Sequence, residues 1–228
     1  MITYPMVKAI AVDYYGTLVD IGRPFDEIKR WFAEKHYEQI ENTDSLYKSF
    51  IKEHARLQYG NKFLLGQDLL MTSYKKSCDK YNLTFFSEEF QELFIKLFTQ
   101  PLAFLGAREA IEKWRKHYPV LLLTNADNKI LYESIGMQGF EFDYILSSED
   151  LQCTKPNAKC FQRACELLHT STEHVLMIGD SLTEDVYGAI SFGMQAIWIN
   201  SKKTQEADSI PQLASVCELE PILLKNHS

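Results

Sequence analysis

Lys8-Ala9-Ile10-Ala11-Val12-Asp13-Tyr14-Tyr15-Gly16-Thr17-Leu18 is an apolar run that ends on an aspartate and breaks into the turn formers Gly16 and Thr17. The apolar part is continuous rather than alternating. That is the pattern of a strand buried on both faces, as in a parallel sheet covered by helices. Similar runs recur at residues 120–124, 144–147, 175–178 and 196–199. Helical patterns separate most of them: residues 107–117 pair Ile111 with Trp114, residues 157–168 carry Phe161, Ala164, Cys165 and Leu168 on one face, and residues 183–192 follow Asp180. Strand and helix in alternation predict an α/β fold with a doubly wound parallel sheet.

Between residues 20 and 100 the texture changes. Phe25, Ile28, Trp31 and Phe32 form one apolar stripe, Leu46, Phe50, His54 and Leu57 a second, and Phe86, Phe90, Leu93, Phe94 and Leu97 a third, with no strand pattern between them. The expected organisation is a core of residues 1–20 and 101–228 with an all-helical insertion of residues 21–100. Inserted after the first strand, such a unit falls over the carboxyl ends of the strands, where open α/β sheets bind ligands, and is read as a cap that closes on substrate and excludes water. Pro24 suits the first turn of a helix, because its missing N–H would be unpaired there anyway. Gly22 and the region of Pro101 are the expected hinges.

Composition narrows the function classes. At 228 residues, 46% hydrophobic and 24% charged, the chain is ordinary for a globular protein, and a net charge of -7 without a basic stripe argues against a nucleic-acid partner. Five cysteines, an odd number with no CxxC pair, and no apolar leader ahead of Asp13 predict a reduced, cytoplasmic setting. The longest apolar runs are far short of the roughly 20 residues of a membrane helix, so no membrane partner is expected. The tail is polar from Lys202 and ends in Pro221-Ile222-Leu223-Leu224, a segment with no functional signal. Nothing in the chain specifies an oligomeric state.

The chemistry gathers at strand ends. Asp13 follows a strand and precedes a sharp turn, which places it either in the ligand crevice or as a cap on the turn. Asp180 follows residues 175–178 in the same way, with Asp185 five residues on, where Asp185 or Ser181 taken alone reads as a helix cap. Two strand-end aspartates in one parallel sheet converge on a small volume, where their repulsion raises their pKa values unless a cation lies between them. Hard oxygen ligands with room for water point to Mg²⁺. Thr124 and Asn125 end another strand and offer a hydroxyl and an amide to an anion, or form an ordinary turn. Lys155, ahead of Pro156, is either a solvated lysine or one set to neutralise a carboxylate and a bound anion.

Asp13 to Thr17, Thr124, Lys155 and Gly179-Asp180-Ser181-Leu182-Thr183-Glu184-Asp185 together resemble the four ordered motifs of the haloacid dehalogenase superfamily. The resemblance implies a Rossmann-like core with a mobile helical cap. It also implies a covalent mechanism in which Asp13 attacks the substrate and water then hydrolyses the aspartyl intermediate. Carried over by position, Thr124 would bind the transferred group and Lys155 would steady Asp13 and the developing charge. Asp13, Asp180 and the backbone carbonyl of Tyr15 would hold Mg²⁺, and Asp185 would assist through its water shell.

Tyr15 splits that assignment. Phosphatases of the family place an aspartate there to protonate the leaving alcohol, which is worth about 10² to 10⁴ in rate. The Asp-x-Tyr-Gly-Thr form resembles instead the 2-haloacid dehalogenases, whose halide needs no proton. Those enzymes, however, carry a fourth motif similar to Ser-Ser-Asn-x-x-Asp and need no metal. They also require a cationic halide site, for which Lys48 and Arg56 are the cap cations considered, both more in keeping with surface charges. The acidic fourth motif weighs more, because an added carboxylate beside Asp13 repels a substrate carboxylate unless a metal neutralises it. The expectation is a Mg²⁺-dependent phosphatase acting on a small anionic phosphate ester. The alternatives are a dehalogenase of a 2-halo acid, and a ligand-binding or regulatory protein that has lost turnover with its general acid.

Overall fold

The computed structural model describes residues 6–58, 60, 62–201 and 209–219. The described residues divide into two compact units: those within 1–20, 102–128 and 135–228 form the first, and those within 21–101 and 129–134 the second.

The first unit is built on a parallel sheet of β1 (Ala9–Val12), β4 (Val120–Thr124), β5 (Tyr144–Ser147), β6 (Val175–Gly179), β7 (Gln195–Ile199) and β8 (Gln212–Leu213), while β2 (Val19–Asp20) and β3 (Leu102–Ala103) form a separate antiparallel pair. Across the sheet the order is β5-β4-β1-β6-β7-β8. Chain order therefore runs outward in one direction from β1 and then in the other from β6, and the reversal between these two strands is where doubly wound sheets open a ligand crevice. Val12 pairs with Leu122 on one side and with Ile178 on the other. Asp13 and Asp180 consequently leave the sheet side by side.

The strand residues are buried on both faces. Ala9, Ala11, Leu121, Leu123, Val175 and Met177 pack with Cys160, Phe161 and Ala164 of α8 (Ala158–Leu167) and Ala189 of α9 (Gly188–Phe192), while Ile10, Val12, Leu122, Leu176 and Ile178, which alternate with them, are also fully buried. Helices α5 (Ala107–Trp114), α6 (Asn128–Gln138) and α7 (Ser148–Leu151) complete the connections. Ser147 caps α7 reciprocally with Asp150: its hydroxyl accepts from the Asp150 N–H at 3.0 Å, and its own N–H donates to the Asp150 carboxylate at 3.1 Å.

The second unit is helical: α1 (Pro24–His36), α2 (Thr43–Gln58), α3 (Gly66–Tyr81) and α4 (Ser87–Thr99). Its core is aromatic, with Phe32 stacked on Tyr74 at 4.9 Å and edge-on to Phe50 at 5.3 Å. The buried His36 imidazole shares a 2.8 Å hydrogen bond with the Tyr74 hydroxyl. Lys48 and Arg56 are exposed, and Arg56 pairs with Glu53 of its own helix at 2.9 Å.

Three features differ from the sequence expectation. Helix α3 has no strong apolar stripe, because its buried face mixes Leu70, Tyr74 and Cys78 with Ser73 and Ser77. The helix expected at residues 183–192 is present, but it opens as a wide π-type turn over Leu182–Tyr187, in which the Val186 N–H reaches back to the Ser181 carbonyl at 3.2 Å, before it continues as α9. Strand β8 adds an edge that the polar tail did not foreshadow, whereas Lys202 and Pro221-Ile222-Leu223-Leu224 lie outside the described residues. Among the described residues, no helix is long and apolar enough to cross a membrane.

Candidate active site

Asp13 is held at the end of β1 by its N–H, which donates to the Ile178 carbonyl of β6 at 2.9 Å. The chain then turns tightly: the N–H groups of Leu18 and Val19 both reach the Tyr14 carbonyl, at 2.8 and 3.2 Å, and Gly16 takes a φ of +88°. Glycine is required there twice over, by its left-handed backbone and by its neighbour, since a Cβ at Gly16 would overlap the Asp180 carboxylate. Gly179 meets the same constraint from Asp185. The two glycines thus leave room for two carboxylates.

Lys155 joins the strand ends. Its buried ammonium donates to Asp13 Oδ1 at 2.7 Å, to Asp185 Oδ1 at 2.5 Å and to the Leu123 carbonyl at 2.8 Å, which uses all three protons. The Lys155–Pro156 peptide is cis. Asp185 is aimed by the wide turn after β6, and its second oxygen accepts the Ser181 N–H at 3.0 Å. The Thr17 hydroxyl lies 3.1 Å from Asp180 Oδ1 and 3.4 Å from Asp13 Oδ2. The indole of Trp198 holds the Asp180 carbonyl at 2.8 Å.

Electrostatically the site is overfilled with negative charge. Asp13, Asp180 and Asp185 offer oxygens that all lie within 4.8 Å of one another, and Lys155 is the cation among them. Burial, and then the neighbouring Asp13 charge, push Asp180 up to about 6, although this residue keeps part of its surface in solvent. Asp185 is pushed up to about 7, chiefly by burial, with Asp13 adding to the rise and Lys155 opposing it. Burial alone would lower the pKa of Lys155, but the two carboxylates outweigh it and hold the ammonium charged. Three converging carboxylates against one ammonium form a hard-oxygen donor set short of positive charge, which fits a small divalent cation. Asp185 is held firmly through both oxygens, by Lys155 and by the Ser181 N–H, whereas the Thr17 hydroxyl reaches Asp13 Oδ2 at a long 3.4 Å and shares itself with Asp180 Oδ1, so Asp13 and Asp180 are the better placed direct ligands.

The other expected residues follow or end the strands β1 and β4. Thr124 is buried at the end of β4, in register with Ser147. Tyr15 is half-buried, its ring edge-on to Tyr14 at 4.9 Å. Asn125, read from the sequence as an anion holder, is engaged otherwise: its amide oxygen accepts the Lys155 N–H at 2.8 Å, and its amide nitrogen donates to the Lys155 carbonyl at 3.2 Å and to Glu184 Oε2 at 3.0 Å. Both amide protons are thereby used within the protein. Thr17 and Glu184 were given no separate role from the sequence. Thr17 stood inside the first motif and could have been found from its place beside Asp13, but nothing in the sequence pattern joins Glu184 to Asn125.

Comparisons with known proteins agree with this geometry at the level of family. A family model described as "Hydrolase: haloacid dehalogenase-like hydrolase" matches residues 7–193. The chain is 29% identical over 128 residues to the pyrimidine 5'-nucleotidase YjjG of Escherichia coli, a match spanning 53% of this chain and only 56% of that protein. It is 24% identical over 232 residues to the glyceraldehyde 3-phosphate phosphatase of Pyrococcus furiosus, covering 94% of each. A solved dehalogenase with an intermediate complex shares the fold, with a TM-score of 0.75 and 20% identity over 98% of this chain and 99% of that one.

Proposed function

Because the chain belongs to the haloacid dehalogenase-like hydrolases, we propose that it is a Mg²⁺-dependent phosphatase of small phosphorylated metabolites, with Asp13 as nucleophile. The observation that carries this reading is the convergence of Asp13, Asp180 and Asp185 on one volume with Lys155 as their cation. A site with that excess of negative charge repels an anionic substrate unless a metal is bound. Asp13, Asp180 and the Tyr15 carbonyl would hold Mg²⁺, with Asp185 acting through its hydration shell. When bound, the metal neutralises the carboxylates and the phosphoryl oxygens.

In this mechanism the Asp13 carboxylate attacks phosphorus in line with the ester oxygen. The P–O bond to the leaving group breaks, and an aspartyl phosphate forms. Lys155, fixed by three hydrogen bonds, orients Asp13 and stabilises the charge that builds on the transferred group. Thr124, at the end of β4, supplies its hydroxyl to the same group. Water then attacks phosphorus, releasing phosphate and restoring Asp13. A tyrosine hydroxyl, whose reference pKa is about 10, is a poor proton donor at neutral pH, so with Tyr15 in the donor's position esters with acidic leaving groups are the better substrates. Five free thiols suit a reduced, cytoplasmic setting.

A second reading, dehalogenation of a 2-halo acid, is favoured by Tyr15 alone, because a departing halide needs no proton. The test is a panel of aryl and alkyl phosphates and of 2-chloro, 2-bromo and 2-fluoro acids, with Mg²⁺ and with chelator. Phosphate release that requires Mg²⁺ supports the phosphatase. Halide release that persists in chelator, without any phosphate release, overturns it in favour of the dehalogenase.

A further inference from the structure

Glu184 touches none of the three carboxylates or the ammonium through any hydrogen bond of its own, yet it is tied to them at one remove. Its Oε2 accepts an amide proton of Asn125 at 3.0 Å. The other two polar bonds of that amide close on a single residue, from the Lys155 N–H at 2.8 Å and to the Lys155 carbonyl at 3.2 Å. Asn125 therefore clamps the backbone of Lys155 on both sides of its Cα, and Glu184 adds a third hydrogen bond that anchors the amide in that orientation. A flipped amide would turn its NH₂ toward the Lys155 N–H and its oxygen toward the Lys155 carbonyl, replacing two hydrogen bonds by two repulsions. The ionised carboxylate of Glu184, which can only accept, would add a third repulsion and so opposes that flip further.

From this geometry we infer that Glu184 is a positioning residue, which holds Asn125 in the orientation that clamps Lys155 and so keeps the Lys155 ammonium on Asp13. The elements involved are separate in the chain: Asn125 follows β4, Lys155 lies in the loop before α8, and Glu184 lies in the wide turn after β6. The clamp thus ties together three of the strand connections that build the site. It acts on the backbone of a residue whose side chain spans Asp13, Asp185 and Leu123, so a small rotation at Lys155 is enough to break the 2.7 Å contact with Asp13. Misplacements of about 1 Å in catalytic groups cost up to about 100-fold in rate.

The inference rests on the catalytic role proposed above for Lys155, and its test separates the two. Glu184→Ala removes the acceptor, while Glu184→Gln keeps a carbonyl oxygen that accepts from Asn125. With an aryl phosphate and Mg²⁺, Glu184→Ala is expected to lower kcat by about 10- to 100-fold with KM nearly unchanged. Glu184→Gln is expected to recover most of that loss, and adding Asn125→Ala to Glu184→Ala to cost little more. Crystal structures of the same variants give a readout free of turnover: the contact between Lys155 Nζ and Asp13 opens in Glu184→Ala and stays closed in Glu184→Gln. Should the wild type turn over no substrate, the catalytic proposal fails and the crystal structures still decide the positioning role. A Lys155 that stays on Asp13 in Glu184→Ala overturns the inference, and so does a Glu184→Gln variant as slow as Glu184→Ala. A fall in Tm with kcat per folded molecule unchanged likewise assigns Glu184 to stability alone.

Discussion

Replacing Lys155 with methionine tests the charge balance of the site without emptying the space it fills. In the native protein the ammonium lies between Asp13 and Asp185, both buried, and donates its three hydrogen bonds to them and to the Leu123 carbonyl. Methionine matches the stem and removes the charge, so the carboxylates are left buried without their cation. Breaking a buried ion pair from one side costs about 3–5 kcal/mol, equivalent to lowering a urea midpoint by about 1–2 M at an m-value of about 3 kcal/mol/M. That cost depends on pH. Asp185 already sits near 7 and Asp180 near 6 with Lys155 present, and loss of the ammonium raises both further. At about pH 5.5 the folded variant therefore binds protons that the unfolded chain, with carboxylates near ~3.9, does not, and the proton relieves the repulsion. The assay is urea unfolding of wild type and Lys155→Met in chelator at pH 8 and pH 5.5. The variant should be much the weaker at pH 8, and the gap should narrow at pH 5.5. An equal gap at both pH values would refute the charge argument and leave only lost packing.

The metal-free wild type should itself lose stability as pH rises toward and through 7. Asp180 and Asp185 have folded pKa values above their unfolded ones, so their contribution is fully present below about 4 and is lost as they ionise. Mg²⁺ should raise Tm more at pH 8 than at pH 5, and a pH-independent increment would contradict that sign. Gly179→Ala places a methyl group against Asp185, whose Cβ lies 2.5 Å from the added atom, so it should cost about 1–3 kcal/mol by overpacking and weaken activation by Mg²⁺. Unchanged Tm and Mg²⁺ dependence would show that the turn yields freely. Tyr15→Asp should raise turnover of alkyl phosphates more than of aryl phosphates, because only the former need protonation of the leaving group. Equal effects on both classes would give Tyr15 another role.

The sheet was legible because continuous apolar runs admit few alternatives. Residues 120–124 and 144–147 are strands with those very limits, and the turn after Val12 announces itself through Gly16. Helix α3 was not legible, since Ser73 and Ser77 share its buried face and flatten the apolar contrast. The two-residue ladder of β2 and β3 is too short to leave a period. At the site, strand ends were enough to gather Asp13 and Asp180, while Lys155 and Asp185 joined them through the resemblance to the family's ordered motifs. What the sequence does not carry is direction. Asn125 reads as a free amide until the Lys155 backbone and Glu184 are placed around it. The aim of Asp185 likewise depends on the wide turn closed by Val186 on Ser181, a local departure from helical spacing.

The central claim is that Asp13 is the nucleophile, and it is tested most directly by trapping. Wild type and Asp13→Asn are mixed with an aryl phosphate and Mg²⁺, quenched within the first turnover, digested and weighed by mass spectrometry. The account predicts a phosphoryl group on the peptide carrying Asp13 in the wild type, with no adduct and no turnover in a folded Asp13→Asn. Sustained phosphate release from Asp13→Asn, with no adduct on the wild-type peptide, would contradict it.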